Sequence, residues 1–158
     1  MKPILSILSQ QVFKFTNMTD LTVSGSRFWH LTMEQVPPTV EKLYLTEHSN
    51  LQPNCIKGMD NLINLTDVHL DFEPFAFHGL FEYPPHGSYH DMEDIVPIPD
   101  LPKLTNILFK CGVHHDITDL KKNWIVLVMS HPLFKNIQNR IKSVNFDGSA
   151  LIINLKNL

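Results

Sequence analysis

One six-residue pattern recurs five times along this chain, and it limits the fold more than any other feature. The pattern is apolar-x-x-apolar-x-apolar. It is carried by residues Met18 to Val23, Val40 to Leu45, Leu65 to Leu70, Leu104 to Phe109 and Ile141 to Phe146. The last two apolar positions of each hexad are two residues apart. That spacing puts them on one face of an extended strand and the side chain between them on the other. So short a strand cannot bury its apolar face alone. Recurrence supplies the partner, because each unit can bury its face against the next. Turn chemistry precedes several hexads. Val36-Pro37-Pro38 comes before the second, Asn61 to Asn64 before the third, and Ile98 to Pro102, with two prolines, before the fourth. Proline ends the preceding element and biases the chain toward extended geometry.

Successive hexads start 22, 25, 39 and 37 residues apart. The hexad resembles the strand half of a leucine-rich repeat, and the first two intervals fall within that family's window of roughly 20–29 residues. The resemblance implies an α/β fold: a short solenoid of about five parallel strands with a helical or irregular convex side. The family carries Asn or Cys three residues after the last inward strand position. Here those positions hold Ser26, His48, Glu73, Gly112 and Ser149, so the usual side-chain ladder is missing. The chain reads as one domain over residues 1–158, with repeats over 18–158. Residues 1–17 form its N-terminal cap, where Ile4, Leu5, Leu8, Val12 and Phe13 make an amphipathic helical pattern. Residues 118–140 also read as helical, N-capped by Thr118 and broken in two at His131-Pro132. The apolar tail from Ala150 to Leu158 reads as an edge strand or C-terminal cap.

A length of 158 residues suits one domain, and 43% apolar residues suit a buried core. The net charge of −3 gives a nucleic-acid binder no support. The charge is unevenly placed. Residues 1–57 carry five Lys/Arg and four Asp/Glu. Residues 58–102 carry no Lys/Arg and nine Asp/Glu, and residues 103–158 carry eight Lys/Arg and three Asp/Glu. No apolar run approaches the ~20 residues of a membrane span, and Met1 to Ser9 lacks the long apolar region of a signal peptide. Two cysteines, Cys55 and Cys111, are too few for a disulfide scaffold. The expected location is therefore cytoplasmic, with reduced thiols. Two glycosylation triplets, at Asn17 and Asn64, matter only in a secreted chain.

The third interval is stretched by an insertion over 73–100. It is rich in His, Pro and acidic residues and carries the aromatics Phe75, Phe77, Phe81, Tyr83 and Tyr89. A loop this long is usually functional or disordered, and its aromatics oppose simple disorder. His86, His90 and Asp94 could supply zinc ligands. Pro84, Pro85 and Gly87 oppose the helical face that the His-x3-His spacing needs. Phosphate-binding glycine loops and a nucleophile elbow are absent from the sequence, and no cofactor is expected.

If the strands stack as the resemblance implies, function lies on the outward strand positions. One row is Thr22, Tyr44, His69, Leu108 and Asn145; the next is Ser24, Thr46, Asp71, Lys110 and Asp147; beside them run Gly25, Glu47, Phe72, Cys111 and Gly148. The expected partner-binding set is Tyr44, Thr46, Glu47, His69, Asp71, Phe72, Leu108 and Lys110. The expected function is non-catalytic: an adaptor, inhibitor or effector that binds a protein with a basic surface through the concave face and the 73–100 insertion. Some relatives in the resembled family select substrates for ubiquitin ligases, but the 17 residues before the first hexad are too few for a ligase-docking module. Two other readings stand beside this one. One is a metal-dependent enzyme built on His86, His90 and Asp94. The other is a structural or oligomeric subunit, joined through the apolar tail Leu151 to Leu158 or an uncapped array end; the charge gradient also permits head-to-tail self-association.

Overall fold

The computed structural model describes residues 4–5, 17–24, 33–48, 56–72, 96–111, 123–147 and 149–158; of residues 4, 5, 24, 47, 48, 71, 72 and 111 only the backbone is described. The elements are β1 (Ile4–Leu5), β2 (Asp20–Ser24), β3 (Lys42–His48), β4 (Asp67–Phe72), β5 (Asn106–Cys111), α1 (Trp124–Ser130), β6 (Ile141–Phe146) and β7 (Ala150–Leu155). The fold is mixed α/β. Among the described residues, seven strands form one sheet in the order β1-β2-β3-β4-β5-β7-β6. Among the described residues, no helix is long and apolar enough to cross a membrane.

Each hexad forms a strand. From β1 to β5 the strands are parallel and adjacent in chain order. Leu21, Leu43, Val68 and Ile107 lie across from one another, and so do Val23, Leu45, Leu70 and Phe109. All eight are between 0 and 2% exposed. Burying each such side chain stabilises the fold by roughly 1.5–3 kcal/mol. The alternate positions Thr22, Tyr44, His69 and Leu108 are half-buried on the opposite face.

The returns between strands follow a second rule. Leu62 and Leu65 bond back three residues, to Met59 O and Leu62 O, and Leu104 bonds to Leu101 O. Phe134, Ile137 and Arg140 do the same to His131 O, Phe134 O and Ile137 O. In such 3₁₀ geometry residues i and i+3 eclipse, so one stripe faces inward. That stripe is Ile56, Met59, Leu62 and Leu65 in one return and Ile98, Leu101 and Leu104 in the next, all between 0 and 3% exposed. Adjacent returns touch where Met33 N donates to Lys57 O at 3.0 Å. Gly58 makes this approach possible. Its φ is +85°, and a Cβ there would sit 2.7 Å from Glu34 N.

Four features differ from the sequence expectations. Ile4–Leu5 is a strand paired with Thr22 and Val23, not part of a helical cap. Pairing there satisfies backbone groups on the open edge of β2, which a helix cannot do; residues 6–16 lie outside the described set. The tail is not an edge: β7 lies between β5 and β6, antiparallel to both. Its Leu151 and Ile153 are fully buried, a burial that only an interior position provides. The fifth hexad, β6, is consequently one strand removed from the fourth. Finally, the pairing of β3 with β4 shifts between Leu45 and His48, so that His48 rather than Glu47 lies opposite Phe72. An extra residue of this kind is a β-bulge.

The break at His131-Pro132 occurs as expected. α1 ends at Ser130 and a 3₁₀ turn runs over Pro132–Phe134. The observed N-cap is Asn123, whose side chain accepts from Val126 N; Thr118 lies outside the described residues. α1 turns Trp124 and Val128 inward, with the Trp124 ring 4.5 Å from that of Phe146.

Arg140 fastens this end of the sheet. It is 6% exposed. Its guanidinium donates to Leu101 O at 2.7 Å, Leu104 O at 2.8 Å, Lys156 O at 3.0 and 3.1 Å, and Asp100 Oδ1 at 2.7 Å. One side chain thereby joins the turn before β5, the start of β6 and the exit of β7. Asp100 is 43% exposed, so its ion pair is partly screened and worth less than about 1 kcal/mol. Leu101 O keeps the Leu104 amide if Arg140 is removed, but Leu104 O and Lys156 O lose their donor, at roughly 1–3 kcal/mol for a buried group left unpaired. Arg140→Met should therefore destabilise the chain by about 3 kcal/mol or more in urea unfolding, and Asp100→Asn by less than about 1 kcal/mol. Equal losses would show that the ion pair, rather than the carbonyls, carries the clamp.

The hairpin between β6 and β7 closes on Asp147, whose Oδ1 accepts from Ser149 N (2.8 Å), Ala150 N (2.7 Å) and Ser149 Oγ (2.8 Å). These bonds, led by the Ser149 amide, hold the carboxyl below its ordinary 3.8. A lowered folded value means that the contribution is present above pH 3.8 and is lost as pH falls through the folded value. A carbon-detected NMR titration of Asp147 should give a midpoint below 3.8 that rises in Ser149→Ala. A midpoint at or above 3.8 in the parent chain would rule the turn out as the cause.

Candidate functional site

The outer face of the sheet gathers much of the expected site. Thr22, Tyr44, His69 and Leu108 are directly opposite one another on β2 to β5. Strand alternation explains this row: each member lies between two core positions of its hexad and so points away from the core. The Tyr44 and His69 rings meet edge to face, with centroids 4.5 Å apart and planes at 72°, an arrangement that aromatic quadrupoles favour. The row continues into Ile152 of β7, opposite Leu108, and then Asn145 of β6. Asn145 is thus in the expected row, but Ile152 stands between it and Leu108.

The other expected residues are partly placed. Thr46 is opposite Ser24 and half-buried, at the bulge. Asp71 is opposite Lys110, and Phe72 opposite Cys111. Lys110 is exposed. The side chains of Glu47, Asp71, Phe72 and Cys111 lie outside the described set, as do residues Gly25, His86, His90, Asp94 and Gly148. Among the described residues, no group of three His, Cys, Asp or Glu is placed to hold a metal.

A second outer row was not anticipated. Asp20, Lys42, Asp67, Asn106, Asn154 and Ser143 are opposite one another in turn, two residues before the aromatic row on β2 to β5. Asn106 Nδ2 donates to Asp67 Oδ1 at 2.8 Å, Thr66 Oγ1 to Asp67 Oδ2 at 2.6 Å, and Asn154 Nδ2 to Ser143 Oγ at 3.0 Å. The signal was in the hexads, whose third position is polar in all five: Asp20, Lys42, Asp67, Asn106 and Ser143. Ile152 and Asn154 had no such signal, because the tail carries no hexad.

Chemically, this face offers a strip of aromatic and aliphatic side chains beside a polar line that is charged at Asp20, Lys42 and Asp67 and hydrogen-bonded from Asp67 to Asn106 and from Asn154 to Ser143. Comparisons with protein-family models, curated proteins and solved structures give no match for the chain.

The two faces should respond differently to substitution. Leu43→Ala, in the fully buried row, is expected to cost about 2–5 kcal/mol. Leu108→Thr, on the outer face of β5, should cost about 1 kcal/mol or less. Urea unfolding of both variants checks this, and similar costs would mean that the outer row is core.

Proposed function

We propose that the chain is a leucine-rich-repeat-like solenoid that binds a protein partner on the outer, concave face of its sheet and performs no chemistry there. The in-register parallel hexads and their apolar returns support the repeat reading, since each unit buries its stripe against its neighbours. The observation that carries the binding reading is the row Tyr44, His69, Leu108 and Ile152, half-buried on the face opposite the core. Aromatic and aliphatic anchors within a polar surround are the usual anatomy of a protein interface. Tyr and His also bring contact area with few rotors to freeze. Residues 58–102, with nine acidic and no basic side chains, favour a partner whose surface is basic.

Affinity capture with the full chain, read by quantitative mass spectrometry, tests this. Proteins recovered by the parent should fall at least tenfold with Tyr44→Asp plus Leu108→Asp. They should persist with Ile63→Asp, a residue 56% exposed in the turn before β4. Circular dichroism verifies that each variant is folded. Unchanged recovery by the folded double variant would sink the proposed site.

A further inference from the structure

We infer that the occupant of this face is an amphipathic α-helix of the partner, lying along the Tyr44–Ile152 row and so across the strands. The inference rests on the outer face being the binding site, and it concerns what shape of ligand the row can match.

Tyr44, His69, Leu108 and Ile152 stand at one level on four consecutive strands, β3, β4, β5 and β7. Neighbouring strands are about 4.8 Å apart, so the row offers one side chain every ~4.8 Å over roughly 14 Å. A ligand that uses all four positions must repeat its own contacts at nearly that interval. One face of an α-helix presents a side chain about every 5.4 Å, once per turn. One face of an extended strand presents a side chain about every 6.7 Å, and a polyproline helix about every 9.3 Å. Over three intervals the α-helix drifts by about 2 Å, which side-chain rotamers absorb. The extended strand drifts by about 6 Å, more than one whole position, and loses the row.

The flanks specify charge. On one side of the row the polar line places Asp20 and Asp67 on either side of Lys42. Asp67 already accepts from Asn106 and Thr66, one bond on each oxygen. A carboxylate has about four acceptor sites, so it can take a further donor. A Lys or Arg on the helix flank that faces this line meets Asp67 within a polar group already held in place. Lys110, exposed on the other side of the row, favours an acidic residue on the opposite flank. The ligand is thus a helix of at least about twelve residues, apolar at i, i+4, i+7 and i+11, with a basic edge and an acidic edge.

Two displayed peptide libraries of equal length test this against the full chain. One is hydrocarbon-stapled into helices, and the other is held extended within cyclic β-hairpins. Selected peptides are measured by fluorescence anisotropy and mapped by chemical-shift changes at Tyr44, His69 and Ile152. The expected result is binders from the helical library that shift these three residues. Their affinity should drop at least tenfold with Leu108→Thr. It should drop about three- to tenfold with Asp67→Asn, which keeps an acceptor for Asn106 but removes the charge, and the Asp67→Asn effect should vanish for peptides with Gln in place of the basic edge. Binders from the extended library that shift the same residues would overturn the helix inference and leave the binding face standing. Binders from neither library shifting those residues would overturn both.

Discussion

One backbone carbonyl of the preceding unit sets where each of β3, β4 and β5 begins. Thr19 O accepts from Glu41 N and Lys42 N at 2.7 and 3.0 Å, Glu41 O from Thr66 N and Asp67 N at 2.7 and 3.1 Å, and Thr66 O from Thr105 N and Asn106 N at 3.0 and 3.1 Å. Each is the residue after the first apolar position of its hexad. The shared bond locks a strand against its predecessor before the ladder proper starts. Everything beyond it inherits that register, because side chains alternate with a period of two. A slip of one residue would turn Leu43 and Leu45 outward and Tyr44 into the core. The residue before each of these three strands' hexads reinforces the lock from its side chain. Thr39 Oγ1 donates to Met18 O, Asn64 Nδ2 to Pro38 O, and Lys103 Nζ to Asn64 Oδ1. Asn64, which the sequence marks as a glycosylation triplet, is engaged in this way.

The same lock makes the outer face. Because the hexads are held level, the residues between their core positions are held level too, and scattered single residues become a row. Burial of Leu21, Val23 and their counterparts is the stabilising force, and alignment of Tyr44, His69 and Leu108 is its by-product. No outward residue has to contribute to stability for the row to exist.

What could be read from the sequence was local and periodic. The hexads announce strands because alternation is written directly in residue type, and the break at Pro132 is written in a ring that lacks an amide proton. What could not be read depends on distant backbone. Ile4 and Leu5 fit a helix as well as a strand, and only the unpaired edge of β2 decides between them. The interior place of β7 is settled by β5, some forty residues earlier in the chain. The bulge at Thr46 and Glu47 has no marker such as glycine, so Glu47 was aligned with Phe72 where His48 belongs. Arg140 reads as one more basic residue of a helical segment, and its carbonyl partners lie in the turn before β5 and at the exit of β7. Of the site, the aromatic row was visible as positions, while its continuation into Ile152 was hidden by the tail.

The late arrival of β7 has a kinetic meaning. From β1 to β5, each strand finds its partner in the segment just synthesised, so the array can assemble in the order in which it leaves the ribosome. The far edge of β5 cannot. It waits for Ala150–Leu155, and until then Ile107 and Phe109 have a neighbour on one side only. A parallel array with an open apolar edge is the species most prone to pair with another chain. The tight turn at Asp147 brings β7 back beside β6 over a short loop, and the long-range step that remains is the docking of one preformed pair onto β5.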